Sequence, residues 1–145
     1  MKKIFMWIVL MYINMALWAG NEKPIKITEM PVKAQQFIQN FFPTHSIALA
    51  KMDTEFLSKN YDVIFTNGDK VEFDKQGRWT NIDCEHSMVP IAVIPQAIQD
   101  YVQKQYPNAK ILKIEMTDRK GYDVELSNGL EIEFDKKFNV IDIDR

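Results

Sequence analysis

The pattern of this chain occurs twice. From Met30-Pro31 to Asp83 the order is an amphipathic helix, then Tyr61-Asp62-Val63, Asn67-Gly68, Glu72-Phe73-Asp74-Lys75 and Ile82-Asp83. From Ile94-Pro95 to Asp144 it recurs, with Tyr122-Asp123-Val124, Asn128-Gly129, Glu133-Phe134-Asp135-Lys136 and Ile143-Asp144. A unit of roughly sixty residues used twice restricts the fold to one that can be laid down in two similar pieces.

The first residues carry an address. Met1-Lys2-Lys3, the uncharged run Ile4 to Leu17 and the small pair Ala19-Gly20 form the three parts of a secretory signal peptide. The run is shorter than the ~20 apolar residues needed to span a bilayer. Residues 1–19 are therefore expected to be removed after Ala19 or Gly20, with no membrane attachment afterwards and a periplasmic or secreted location. The two units then occupy 20–86 and 87–145. Loss of Lys2 and Lys3 takes 18 bases against 20 acids to 16 against 20, a net charge of −4. Mild acidity with dispersed lysines excludes nucleic acid as a partner, because such binding needs a concentrated basic surface. Cys84 is the single cysteine, so no internal disulfide forms and packing must supply the stability. A small side chain at a strand end is the simplest role for Cys84; with His86 alone it makes an inadequate zinc set.

Within each unit the hydrophobic period changes once. Ala34, Phe37, Ile38 and Phe41 share one helical face, with Thr28 as a cap, Pro31 in the first turn and Pro43 ending the helix. Pro95 opens the second helix, Ile98, Tyr101 and Val102 make its face, and Pro107 closes it. Period-two segments follow, predicting strands over 46–55, 60–66, 70–74 and 79–84, then 110–117, 121–127, 130–135 and 139–144. Asn67-Gly68 and Asn128-Gly129 are signals of two-residue hairpin turns, and Gln76-Gly77, whose counterpart is Lys137-Phe138-Asn139, marks another hairpin. The expected fold class is α+β: two α-β-β-β-β units forming one antiparallel sheet of about eight strands, with the helices on one face.

The order Pro, helix, Pro, strand, Tyr-Asp-Val, Asn-Gly, Glu-Phe-Asp-Lys, hairpin, Ile-Asp resembles the PepSY-like proteins, described as beta-lactamase-inhibitor-like. The likeness runs from about Met30 to Asp144. It implies an exported protein of Bacteroides-type bacteria carrying tandem copies. It also implies a fold similar to beta-lactamase inhibitor protein, with helices on one side of a curved sheet and the open side gripping a partner. PepSY domains are associated with restraint of peptidases. The shared positions are apolar and turn residues, so the resemblance carries no catalytic residue onto this chain.

Alternation assigns Tyr61, Val63, Phe65, Val71, Phe73, Thr80 and Ile82, with Tyr122, Val124, Leu126, Ile132, Phe134, Ile141 and Ile143, to the side beneath the helices. The opposite side is the candidate partner-binding face: Ile64, Glu72, Asp74, Trp79 and Asp83 from the first unit, and Asp123, Glu125, Glu131, Glu133 and Asp142 from the second. An acidic face with an aromatic anchor suits a protein or peptide of basic character. It is equally the solvated side of a one-faced sheet. An envelope protein sequestering a cation or small ligand is the alternative function, although calcium ligands usually come from one tight loop. His45 and His86 are expected at solvated element ends, and no nucleophile, base and orienting group occur together. The expectation is a non-enzymatic binding module, related to peptidase or hydrolase inhibitors, with no cofactor, no metal and no catalytic residues.

Overall fold

The computed structural model describes residues 21–145, so the expected signal peptide lies outside the described residues. The strands are β1 (Glu22–Ile25), β2 (Ile47–Glu55), β3 (Ser58–Phe65), β4 (Lys70–Phe73), β5 (Trp79–Asp83), β6 (Ile111–Met116), β7 (Tyr122–Leu126), β8 (Glu131–Phe134) and β9 (Val140–Asp144). The helices are α1 (Val32–Phe41) and α2 (Gln96–Gln105). All strands join one antiparallel sheet in chain order, β1 to β9. The α+β architecture is as expected, but the sheet has nine strands where about eight were anticipated. The additional strand is β1, whose Glu22-Lys23-Pro24-Ile25 lacks period-two hydrophobicity and forms by pairing with β2.

The helices share one construction. Pro31 and Pro95 are the N-caps, so Pro31 stands just before the first turn and Thr28, expected to cap, does not. Thr28 belongs instead to a 3-10 turn, Ile27–Glu29, matched by Ile91–Val93 before α2. Gln35 Nε2 donates to Met30 O at 2.8 Å, and Gln99 Nε2 to Ile94 O at 2.7 Å, tying each turn to the helix that follows. Ala34 and Ile38 bury the inner face of α1; Ile98 and Val102 do so for α2. Phe37 then meets Phe73 edge-on at 5.6 Å, and Tyr101 meets Phe134 in the same way at 5.5 Å. Complete burial of a phenylalanine contributes about 1.5–3 kcal/mol over exposure, and Phe42, Phe65, Phe73 and Phe134 are all inside.

Turn chemistry corrects one detail. The Asn-Gly signals do not mark two-residue turns. Within each Asn-Gly pair only the glycine, Gly68 or Gly129, has positive φ, and Gly68 N donates to Phe65 O while Phe65 N donates to Asp69 O. These are three-residue loops ending on a left-handed glycine, another common hairpin connection. Phe138, replacing the turn glycine of the first unit, adopts φ 65° and stacks on Tyr122 at 5.8 Å.

The inside-outside alternation fails where β-bulges intervene. Phe73 pairs with Trp79 and Val71 with Ile82, so one extra residue stands in β5. Trp79 therefore joins the helix side, packed against the core, and Thr80 does not; its hydroxyl donates to Glu72 O. The same shift between β8 and β9 turns Val140 inward and leaves Ile141 52% exposed. Ile143 does pair with Ile132 on the helix side, but β9 ends the sheet and Ile143 remains 44% exposed.

Candidate functional site

Opposite the helices, strand register aligns the remaining side chains into two rows. One runs Leu49, Ile64, Lys70, Asp83, Lys113, Glu125, Glu131, Asp144. The other runs Lys51, Asp62, Glu72, Asn81, Glu115, Asp123, Glu133, Asp142. Directly opposed side chains on one sheet face lie close enough to interact, and opposed like charges destabilise the sheet.

The first unit resolves this problem internally. Lys70 Nζ lies 2.7 Å from Glu72 Oε1 and 3.3 Å from Asp62 Oδ2. Lys51 Nζ lies 3.1 Å from Glu22 Oε2 and 3.8 Å from Asp62 Oδ2. Burial lifts Asp62 above the ordinary carboxylate range even with Lys70 beside it. Burial opposes the charge on Lys70, yet Glu72 and Asp62 hold its ammonium above the usual lysine value.

The second unit reverses the compensating charges. Ala50 and Ile114 are the core partners of Val63 and Val124, so Glu115 stands where the first unit has Lys51. Lys70 opposes Ile64, and Glu131 opposes Glu125 at the corresponding place. Five acid pairs face one another directly: Glu115 with Asp123, Glu125 with Glu131, Asp123 with Glu133, Glu133 with Asp142, and Glu131 with Asp144. Lys113 is the one base in these rows of the second unit, set between Asp83 and Glu125. Burial raises the Glu125 carboxyl above its ordinary value, and Glu85 and Glu131 push it further against Lys113. A shallow hollow of about 80 Å³ is lined by Lys113, Glu115, Asp123, Glu125 and Glu131. Among the described residues no group of three or more acid, histidine or cysteine side chains converges as a cation cage.

Of the sequence-predicted site residues, Ile64, Glu72, Asp83, Asp123, Glu125, Glu131, Glu133 and Asp142 do stand on this face. Trp79 does not, because of the bulge in β5. Asp74 is engaged in its own turn, accepting from the backbone N–H groups of Gln76 and Arg78 and from Arg78 Nε at 2.9 Å. Burial works against its ionisation, but these donors hold its carboxyl below the usual range. Glu115 belongs to the face and was not singled out; its alternation with Ile114 in β6 was the available signal.

The histidines and Cys84 occupy a different place. Asp69 is fully buried and accepts hydrogen bonds from Ser87 Oγ, the His86 N–H at 3.2 Å and Asn67 Nδ2 at 3.0 Å. His45 is a half-buried residue rather than a solvated end: its ring packs on Phe42 and Phe65, and its Nε2 lies 3.5 Å from Asp69 Oδ2. Cys84 is buried beside them, its thiol pushed up to about 12 by burial and by Asp69. This is the joint that fastens the β5–α2 connection to the β3–β4 loop.

The fold and the apolar framework of both units match known proteins. The family model described as "putative beta-lactamase-inhibitor-like, PepSY-like" matches residues 59–142. The chain belongs to the PepSY-like family. A Bacteroides vulgatus structure, described as a putative periplasmic protein of the DUF2874 family, is 56% identical, covers 88% of this chain and 99% of its own, and superposes with TM-score 0.84. A Bacteroides thetaiotaomicron structure, described as a "putative calcium-regulated periplasmic protein", is 57% identical over 86% of this chain and 97% of its own, with TM-score 0.82. A second B. vulgatus structure, described as periplasmic and of unknown function, is 33% identical over 86% of this chain and 99% of its own, with TM-score 0.79. Among curated proteins none is similar. Of the periplasmic or secreted location expected from the first residues, periplasmic is the one given for these relatives. Among the described residues no helix is long and apolar enough to cross a membrane.

Proposed function

We propose that this PepSY-like protein is a non-enzymatic binding module of the bacterial envelope that docks a basic protein or peptide on the second unit's open sheet face. The observation that supports this reading is the charge reversal. Lys51 and Lys70 neutralise the acids of the first unit, and Glu115 and Glu131 occupy their places in the second. An acidic field on a broad open face accelerates encounter with a cationic partner and specifies its orientation. A duplicated unit, 20–86 and 87–145, fits this division: one half is self-compensated and the other is completed by its guest. The inhibitor-like family description is consistent with a protein guest such as a peptidase or hydrolase.

The test is affinity capture from envelope extracts with the wild-type chain and a Glu115→Lys, Glu131→Lys variant, which gives the second unit the first unit's charges. Loss of a retained basic partner with the fold intact is expected; identical partner sets would sink the proposal. A second reading, cation sequestration, draws on the same opposed acids and on the relative described as calcium-regulated. Calorimetric titration with millimolar calcium decides it: a saturable heat, removed by Glu131→Lys, supports the cation reading, and the absence of heat dismisses it.

A further inference from the structure

We propose that two copies of this chain dock reciprocally, the Phe56-Leu57 hairpin tip of each seated in an apolar groove of the other. The tip joins β2 to β3, where Glu55 pairs with Ser58 across a two-residue turn. Phe56 is 97% exposed and Leu57 99%. Single exposed apolar residues are ordinary, but Phe56 also has φ 53° at the first turn position, where glycine is favoured and a bulky side chain is disfavoured. The matching hairpin of the second unit runs through Asp118, Arg119 and Lys120, so the fold itself does not call for an aromatic there. A locally unfavourable conformation that presents two apolar side chains to water points to a role at a contact.

The receiving groove lies at the seam of the two units, on the helix side. Phe37, Phe41, Trp79, Val93 and Met116 line a cleft of about 370 Å³, with Lys33 and Arg78 as its charged residues. That volume is at the small end of ligand-sized sites, about 300–1,000 Å³, and suits inserted side chains better than a folded element. The bulge that carries Trp79 off the open face is what supplies this wall.

Tip and groove flank the same turn. The hollow along the tip is bordered by Asp74, Lys75, Gln76 and Arg78, and the groove by Gly77 and Arg78. A two-fold axis beside that turn brings each tip to the other copy's groove, giving a closed pair of identical contacts; a one-way insertion would propagate as a chain. Glu55, at the base of each tip, then approaches Lys33 and Arg78 of the other copy. The acidic field stays on the opposite side of the sheet, so the dimer and the proposed partner face fail or succeed separately.

Sedimentation velocity of the chain lacking residues 1–20, from micromolar to millimolar concentration, tests this. A reversible dimer is expected. Phe56→Ser with Leu57→Ser, and separately Met116→Glu, should each raise its dissociation constant about tenfold or more with thermal unfolding unchanged. Mixing the two variants should recover a heterodimer, because one intact tip then meets one intact groove. A wild-type chain monomeric throughout would overturn the assignment to a second copy, as would a tip variant that associates like the wild type.

Discussion

Asp69 offers a sharp test of how the two units are joined. Its carboxylate has no exposed surface and receives Ser87 Oγ–H, the His86 N–H and an Asn67 amide, with His45 Nε2 3.5 Å away. Asp69→Leu installs the residue type of the second unit, where Leu130 follows the matching glycine. The apolar replacement removes the acceptor and leaves its donors behind. A buried donor stripped of its partner costs about 1–3 kcal/mol, and Ser87 and His86, which lie in an exposed segment, can turn part of their donor capacity to water. Because these costs share one site, are not additive and fall on neutral donors of an exposed segment, a loss of about 1–3 kcal/mol is expected. Against a total stability of about 5–15 kcal/mol for a domain, the midpoint of urea unfolding should fall markedly at constant slope. Ser87→Ala should then cost clearly less in the Asp69→Leu background than in the wild type, since its hydroxyl has already lost its acceptor. A single-mutant loss below about 1 kcal/mol, or full additivity of the pair, would refute the assignment of Asp69 as the buried acceptor that clamps the β5–α2 connection.

Further outcomes follow from the open face and the turns. Glu131→Lys should stabilise the protein by about 0.2–1 kcal/mol for each opposed acid pair it relieves, checked by urea unfolding at low salt and diminished at high salt. Glu125 has a raised carboxyl pKa in the folded chain, so its contribution is retained below the unfolded value near 4.5 and lost as pH rises through the folded one. Glu125→Gln should therefore be more stable than wild type at pH 7 and indistinguishable from it near pH 4, read by thermal melts at both. Cys84, buried with its thiol near 12, should resist iodoacetamide and disulfide reagents at pH 8 until the chain is unfolded. Gly77→Val should be severely destabilising, because φ is +80° and the added Cβ would meet Pro31 Cβ at 2.9 Å and Ala34 N at 3.0 Å; the fall in unfolding temperature measures it.

Sequence periodicity specified the helices, the inward Val63, Phe73, Val124 and Phe134, and the side on which most acids stand, because burial on one face of a strand or helix imposes its period on the residues themselves. The recurrence of Tyr-Asp-Val and Glu-Phe-Asp-Lys likewise carried the family. It did not reveal β1, whose strand character comes from the partner edge rather than from its own side chains. Nor did it reveal the bulges: one extra residue in β5 and another in β9 reverse the facing of Trp79, Thr80, Val140 and Ile141, and alternation has no term for an inserted residue. Tertiary structure alone decided which charges meet. Lys51 and Lys70 converge on Asp62 from neighbouring strands, while Glu131 meets Glu125, because cross-strand register joins residues that chain order keeps apart.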